Sequence, residues 1–160
     1  SVLGLDPQTP HELASETGLV RSRALVNRDH TVRIALNVSP AAPVREGRYL
    51  NHVAFATDDA LAVLAALHAT GLSMLPVPEN YYDDLQARFG MSDAEVAALR
   101  NAGAMYDIDA YGAFVHAYTA PIGDLLFEIV ERRDGYEGYG AVNAGLRMSS
   151  VRSLLMDRAR

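Results

Sequence analysis

The stretch Leu125-Leu126-Phe127-Glu128-Ile129-Val130 is short, apolar and rich in aromatic and β-branched residues, which predicts a buried β-strand. Alternate residues of a strand share a face, so Glu128 lies on the same face as Leu126 and Val130. A carboxylate among apolar neighbours is costly unless a cation, a metal ion or hydrogen-bond donors compensate it. An edge strand that turns Glu128 toward water is the alternative explanation.

A second polar residue in an apolar run favours the buried interpretation. His116 lies in Phe114-Val115-His116-Ala117-Tyr118-Thr119, and the segment 120–124 between the two runs contains the Pro and Gly of a hairpin turn. If the hairpin is symmetric about Ile122, His116 and Glu128 are directly opposite, with Cβ atoms roughly 5 Å apart. A histidine and a carboxylate on one apolar face indicate part of a metal or substrate site.

Composition excludes several classes of protein. The 160 residues, 49% of them hydrophobic, suffice for one domain or two small modules that share a core. A formal charge of −6 with no dense basic cluster argues against nucleic acid or an anionic membrane as a partner. There is no cysteine, so a metal would need His, Asp, Glu or carbonyl ligands. With no apolar run of ~20 residues and no visible secretory signal, we expect a cytoplasmic protein.

The order of predicted elements indicates the fold. Strands are predicted at 18–26, 31–38, 50–56 and 72–77, and then in the hairpin. Helices are predicted at 59–70, capped by Asp58, at the end of 80–89, and from a Ser92–Glu95 capping box to Asn101. The tail from Asn143 is predicted to be helical. From residue 50 onward the order is therefore strand, helix, strand, inserted helix, strand, strand.

We therefore predict an α+β fold of paired βαβββ modules whose sheets curl face to face around one site. Residues 1–40 would be the remainder of the first module, 41–135 the second module with the metal-ligand strands, and 136–160 a C-terminal tail. The start, Ser1 to Pro7, is typical of a helix end that runs into a Gly stop. The first module would then lack its opening strand and most of its helix, as in a fragment of a longer polypeptide.

Further candidate residues lie on other predicted strands. His52 shares its strand face with Leu50, Ala54 and Ala56, and the small alanines leave room beside an imidazole. A lone strand histidine is often only a core or rim residue, but here the first and last strands of the second module can approach each other. Ser22 and Asn37 are polar residues on paired strands; they could line a cavity or be ordinary sheet residues.

Together, several segments resemble the C-terminal half of 4-hydroxyphenylpyruvate dioxygenase, in the vicinal-oxygen-chelate superfamily with its glyoxalase/dioxygenase fold. The segments that match are Gly18–Leu25, Arg33–Asn37, Asn51–Phe55, Tyr81–Leu85, Tyr118–Pro121, Leu126–Arg132 and Gly138–Asn143. They cover most of residues 1–147, in the family's order and spacing.

The resemblance implies an iron(II) site formed by two histidines and a glutamate, with positions left for a 2-oxo acid and O₂. His52 matches the second histidine and Glu128 the glutamate, whereas the first histidine would lie upstream of Ser1. Manganese, magnesium or zinc would also suit such ligands. Ser22, Asn37, His116 and Tyr118 match positions near the substrate, which would be a 2-oxo acid or a related carboxylate. No catalytic residue is assigned.

Three positions differ from the dioxygenase pattern: His116 replaces a glutamine, Ala35 a proline, and Ala144 an aromatic residue that packs on the substrate ring. The segments Arg33–Ser39 and Gly138–Ala144 are more similar to the dioxygenase-like C-terminal domain of bacterial bifunctional 3-dehydroshikimate dehydratases, which act in quinate and shikimate breakdown. We therefore expect such a metal-binding domain, inactive as an isolated fragment, in a protein that could form a homo-oligomer. A genuine iron(II) 2-oxo-acid dioxygenase and a non-catalytic module for dimerisation or ligand sensing are the alternatives.

Overall fold

The fold is described from a computed structural model, which covers residues 4–15, 18–38, 51–123 and 125–158. Among these residues, no helix is long and apolar enough to cross a membrane. The strands are β1 Leu5–Pro7, β2 His11–Ser15, β3 Gly18–Asn27, β4 Arg33–Val38, β5 His52–Ala56, β6 Met105–Ile108, β7 Ala113–Tyr118 and β8 Leu126–Arg133. The helices are α1 Ala60–Ala69, α2 Glu79–Phe89, α3 Asp93–Ala102 and α4 Ala144–Arg158, and Ala141–Asn143 forms a 3₁₀ turn.

The first sheet is antiparallel and centres on β3. β1 and β2 pair with the two ends of one edge of β3, and β4 pairs with its other edge. The predicted strands at 18–26 and 31–38 are confirmed within one or two residues, whereas β1 and β2 were not predicted. Pro7 and Pro10 interrupt this edge, because proline has no N–H to donate to a strand neighbour. The predicted helix end at residues 1–3 lies outside the described residues.

The second sheet has the strand order β5-β8-β7-β6, with β5 parallel to β8 and the other pairs antiparallel. The chain thus runs through β5, the helices, β6, β7 and β8, and the first and last of these strands are neighbours. The α+β fold class and the βαβββ order are confirmed, although β6, which was not predicted, takes the place of the strand predicted at 72–77. This strand order places the histidine at the start of β5 beside the strand that carries Glu128.

The hairpin between β7 and β8 has a different register from the predicted one. Tyr118, not His116, is directly opposite Glu128, and His116 is opposite Val130. Ile122 bridges Leu125 across a tight turn, with Gly123 at a φ of 65°, so the β7 side carries one more residue than β8 between turn and ladder. The prediction of a direct His116–Glu128 pair is therefore wrong, although the two residues do share a face.

Local capping explains where the helices begin and end. Asp59, and not the predicted Asp58, caps α1, because its extended backbone lets the carboxylate accept from the N–H of Ala62. The Ser92–Glu95 capping box of α3 is confirmed, as is its end at Gly103 in the left-handed conformation. α2 begins at Glu79, directly after Pro78, so the loop predicted at its start is helical.

The strand predicted at 72–77 is wrong. Only Met74 forms a bridge, to Thr119, flanked by two backbone hydrogen bonds: Leu75 donates to Tyr118, and Ala120 donates to Ser73. Pro76 and Pro78 follow at once, and they lack the N–H groups that would extend the pairing. This segment therefore ends as a loop that leads into α2.

The chain divides into two compact units, Ser1–Arg48 and Tyr49–Arg160. In the second unit, α1, α2 and α3 contribute buried side chains to one large core together with strand residues, and Leu146, Val151 and Leu154 of α4 pack against it. The C-terminal segment predicted as a tail thus forms part of this unit. Its helical conformation, α4, is confirmed, and its far end exposes Leu155 and Met156.

Candidate metal centre

Glu128 lies at the centre of a buried polar cluster on one face of the second sheet. Its side chain is only 5% exposed. Oε1 accepts from Nδ1 of His116 at 2.8 Å, and Oε2 lies 3.3 Å from Nε2 of His52. The hydroxyl of Tyr118, directly opposite on β7, also donates to this carboxylate. The structure therefore brings together His52, His116, Tyr118 and Glu128, four of the predicted site residues.

The strand pairing explains this convergence. His52 is adjacent to Leu126 and Ala54 to Glu128 in the parallel β5–β8 ladder, so His52 and Glu128 are diagonal neighbours on one face. The residue beside Glu128 on β5 is alanine, which leaves space for the two polar side chains to meet. The ring of Tyr118 completes the cluster, with its centroid 5.4 Å from that of His52 and 5.6 Å from that of His116.

The carboxylate of Glu128 is ionised. Burial alone would raise its pKa, but the hydrogen bonds from His116 and Tyr118 and the proximity of the two histidines lower it below the ordinary value. Burial raises the pKa of the Tyr118 hydroxyl well above its ordinary value, and the adjacent Glu128 charge adds to this rise. Tyr118 is therefore a neutral donor.

The protonated nitrogen of His52 can be assigned from its neighbours. The Oδ1 atom of Asn51 accepts from the guanidinium of Arg147, which has only donors, so this amide atom must be the oxygen. The same oxygen lies 3.1 Å from Nδ1 of His52, so Nδ1 carries the hydrogen. Burial, the largest cause, lowers the pKa of His52 and favours the neutral ring. Its Nε2 lone pair then points toward the Glu128 carboxylate.

A lone pair and an anionic oxygen 3.3 Å apart repel each other unless a cation lies next to both. The two atoms fit a divalent metal, because ligands bonded at about 2.1 Å and roughly 90° to each other lie about 3.0 Å apart. Among the described residues there is no cluster of three or more His, Asp and Glu side chains in a metal-binding arrangement. The described residues thus supply two of the three ligands that the resemblance implies.

Both ring nitrogens of His116 are bonded to protein atoms. Nε2 lies 3.0 Å from Nδ2 of Asn143, which also donates to the carbonyl oxygen of Tyr106. An amide that donates to that carbonyl must present its nitrogen to His116, so Nε2 accepts and Nδ1 donates to Glu128. The imidazole is 1% exposed. In this structure His116 therefore orients Glu128, and neither nitrogen is left for a substrate.

A close backbone approach holds the loop before α4 against His116. Gly140 has a φ of 64°, and a Cβ atom there would lie 2.9 Å from Cε1 of the His116 ring and 2.8 Å from the Phe114 ring. Only glycine combines this conformation with such a close contact. The Gly138–Asn143 segment thus brings Asn143 to the imidazole.

Two of the predicted substrate residues, Ser22 and Asn37, lie in the first unit. Ser22 of β3 is opposite Asn37 of β4; Ser22 is fully buried and Asn37 is exposed. The Ser22 hydroxyl has no hydrogen-bond partner among the described residues. Their role in substrate binding stays a prediction.

Sequence reasoning missed Asn51, Asn143 and Arg147 as members of the cluster. Asn143 and Arg147 are four residues apart at the start of a helix, so they share a helix face. That spacing, next to the matched Gly138–Asn143 segment, was the signal available in the sequence.

Comparison with known proteins identifies relatives that cover most of the chain. No family model matches it. The chain is 38% identical over 144 residues to the 3-dehydroshikimate dehydratase of Pseudomonas putida, across 84% of this chain and 23% of that protein. It is 28% identical over 157 residues to the 4-hydroxyphenylpyruvate dioxygenase of Caenorhabditis elegans, across 86% of this chain and 39% of the enzyme.

A solved structure shows the same relationship. A fusion protein of a xylose isomerase-like TIM barrel and 4-hydroxyphenylpyruvate dioxygenase superposes with a TM-score of 0.77 and 35% identity, over 91% of this chain and 25% of that one. Over most of its length, the chain is similar to 4-hydroxyphenylpyruvate dioxygenase-type proteins. Its vicinal-oxygen-chelate fold, expected from the resemblance, is confirmed. It spans about a quarter of the dehydratases that it matches.

Proposed function

We propose that this dioxygenase-like domain binds a divalent metal through His52 and Glu128, as the C-terminal part of a bifunctional 3-dehydroshikimate dehydratase. The fused parentage is supported by the relatives at 38% identity and by the barrel–dioxygenase fusion. Iron(II) is the first candidate because of the dioxygenase relatives, and manganese, magnesium and zinc suit the same ligands. A cytoplasmic location stays a prediction.

One observation carries the metal proposal. The Nε2 lone pair of a neutral His52 faces the ionised Oε2 of Glu128 at 3.3 Å, in a site where both groups are largely buried. No Lys or Arg ion pair with Glu128 is present among the described residues. A divalent cation next to both atoms would remove the repulsion and compensate the buried charge.

The surrounding residues would prepare Glu128 for this role. His116 holds Oε1, so that Oε2 is directed toward His52, and Asn143 fixes the tautomer of His116. Tyr118 donates a further hydrogen bond to the carboxylate, and its ring lies against that of His116. In the dioxygenase family, a metal held this way leaves positions for a 2-oxo acid and O₂.

The test is calorimetric titration of Mn²⁺, and of Fe²⁺ without oxygen, into the full-length protein and two variants. Glu128→Gln should lack one binding event that wild type shows, or weaken it by more than about 100-fold, beyond the loss expected from a residue that only supports a ligand. Glu131→Gln is the matched control, since it changes a second buried glutamate of the same strand outside the cluster. Unchanged binding by Glu128→Gln would refute the proposal.

A further inference from the structure

Arg147 is a largely buried cation on the first turn of α4, only 9% exposed. Its Nη1 donates to Oδ1 of Asn51. Its guanidinium carbon lies 5.5 Å from the centroid of the Tyr118 ring, and it also hydrogen-bonds to the Tyr118 hydroxyl. It thus contacts the residues that border the His52–Glu128 pair.

The charge of Arg147 lacks an acidic partner in the part of the chain that the structure describes. Its hydrogen bonds there go to a neutral amide and a neutral phenol. A guanidinium has five N–H donors in a planar fork that matches a carboxylate. The bonds to Asn51 and Tyr118 do not use all five donors. Burying a guanidinium without an anion is costly, so a built-in site for an anion explains its position better than packing alone.

Arg147 shares hydrogen-bond partners with both proposed metal ligands. Arg147 Nη1 and His52 Nδ1 bond to the same oxygen, Oδ1 of Asn51, and the Tyr118 hydroxyl connects Arg147 to Glu128. A small ligand at the metal would therefore lie within reach of the guanidinium.

We propose that Arg147, held by Asn51 and Tyr118, binds the carboxylate of a small monocarboxylate ligand that lies beside the His52–Glu128 pair. This specificity site rests on the proposed metal function and deepens it. The guanidinium fork matches the two oxygens of one carboxylate, the anionic group expected of a ligand at this metal pair. Removing the fork should therefore weaken carboxylate binding without removing the metal.

The experiment titrates phenylpyruvate into the full-length protein, both loaded with Mn²⁺ and freed of metal with EDTA. Arg147→Gln should weaken phenylpyruvate binding roughly tenfold or more in both states, a change of about 1.4 kcal/mol per factor of ten. Mn²⁺ affinity should stay within a few-fold of wild type. Arg152→Gln, an exposed position on the same helix, controls for the loss of one positive charge and should bind as wild type does.

Two results would overturn the proposal: Arg147→Gln with wild-type affinity for phenylpyruvate, or wild type without detectable binding. If Arg147→Gln does not fold, Arg147→Lys decides, because it keeps the charge but loses the fork and should bind several-fold more weakly. Wild-type affinity in that variant would also overturn it. If the metal proposal is wrong, Mn²⁺ binding will not change in Glu128→Gln. The titration of phenylpyruvate in EDTA would then still test the role of Arg147, because it does not depend on the metal.

Discussion

Strand β8 carries two buried glutamates, Glu128 and Glu131, on opposite faces of the second sheet. Glu131 is compensated within the fold: Oε2 accepts from the N–H of Ala60 at 2.9 Å, and Oε1 pairs with Arg133 at 2.5 Å. Glu128 has histidines and a tyrosine around it but no ion pair with arginine among the described residues. Glu131 therefore holds the start of α1 in place, whereas Glu128 leaves room for a cation.

Glutamine at each position should give opposite effects on the metal-free protein. Glu131→Gln should lower the free energy of unfolding by about 1–2 kcal/mol, because the bond to Ala60 loses its charge assistance. The partly exposed Arg133 pair adds little. Glu128→Gln should leave the free energy unchanged or raise it, because an amide N–H can donate to Nε2 of His52.

Urea unfolding of both variants and wild type in EDTA measures these changes. A Glu128→Gln variant destabilised as much as Glu131→Gln would mean that both glutamates are structural.

Substitutions at His116 should show how far Glu128 depends on its supporting bond. His116→Ala should weaken Mn²⁺ binding by roughly tenfold or more, as is typical when a residue that orients a metal ligand is lost. His116→Gln should stay within a few-fold of wild type, since an amide can still donate to Oε1. Equal Mn²⁺ affinities for wild type and both variants would show that His116 does not position Glu128.

Acidification should reduce the contribution of Glu131 to the free energy of unfolding. Burial would raise the pKa of Glu131, but the hydrogen bonds from Arg133 and Ala60 lower it below the ordinary value of 4.5. Its stabilisation is therefore fully present above pH 4.5 and is lost as the pH falls through the folded-state pKa. The stability difference between wild type and Glu131→Gln should thus shrink below pH 4.5. A difference that stays constant in urea titrations down to pH 3 would contradict this.

Ser22 should have the smallest effect. Its buried hydroxyl has no partner among the described residues, so Ser22→Ala should change the free energy of unfolding by less than about 1 kcal/mol, toward higher stability. A larger loss in urea unfolding would mean that the hydroxyl is hydrogen-bonded in the folded protein.

The sequence predicted the strands and the shared face of Glu128 and His52, because these depend on strand periodicity, which survives an error in register. In the hairpin, an extra residue beside the turn changed the partner of Glu128 from His116 to Tyr118. The partner is therefore shifted by two residues along β7, and a shift of two keeps His116 on the same face as Glu128. The helix caps at Ser92 and Gly103 were readable because capping is local.

Contacts between distant segments could not be predicted in the same way. Arg147 meets Asn51 and Tyr118 only because α4 returns to the sheet, and no local pattern specifies that return. The failed strand at 72–77 shows the opposite case, since its apolar pattern was right but Pro76 and Pro78 removed the donors that pairing needs.

The most direct test of the account is a crystal structure of the protein soaked in Mn²⁺, with anomalous scattering used to locate the ion. We expect one peak at roughly 2.0–2.3 Å from both Nε2 of His52 and an oxygen of Glu128, with Nδ1 of His52 still bonded to Asn51. A well-ordered His52–Glu128 pair without a peak, or an ion bound elsewhere while Nε2 of His52 turns away, would contradict it.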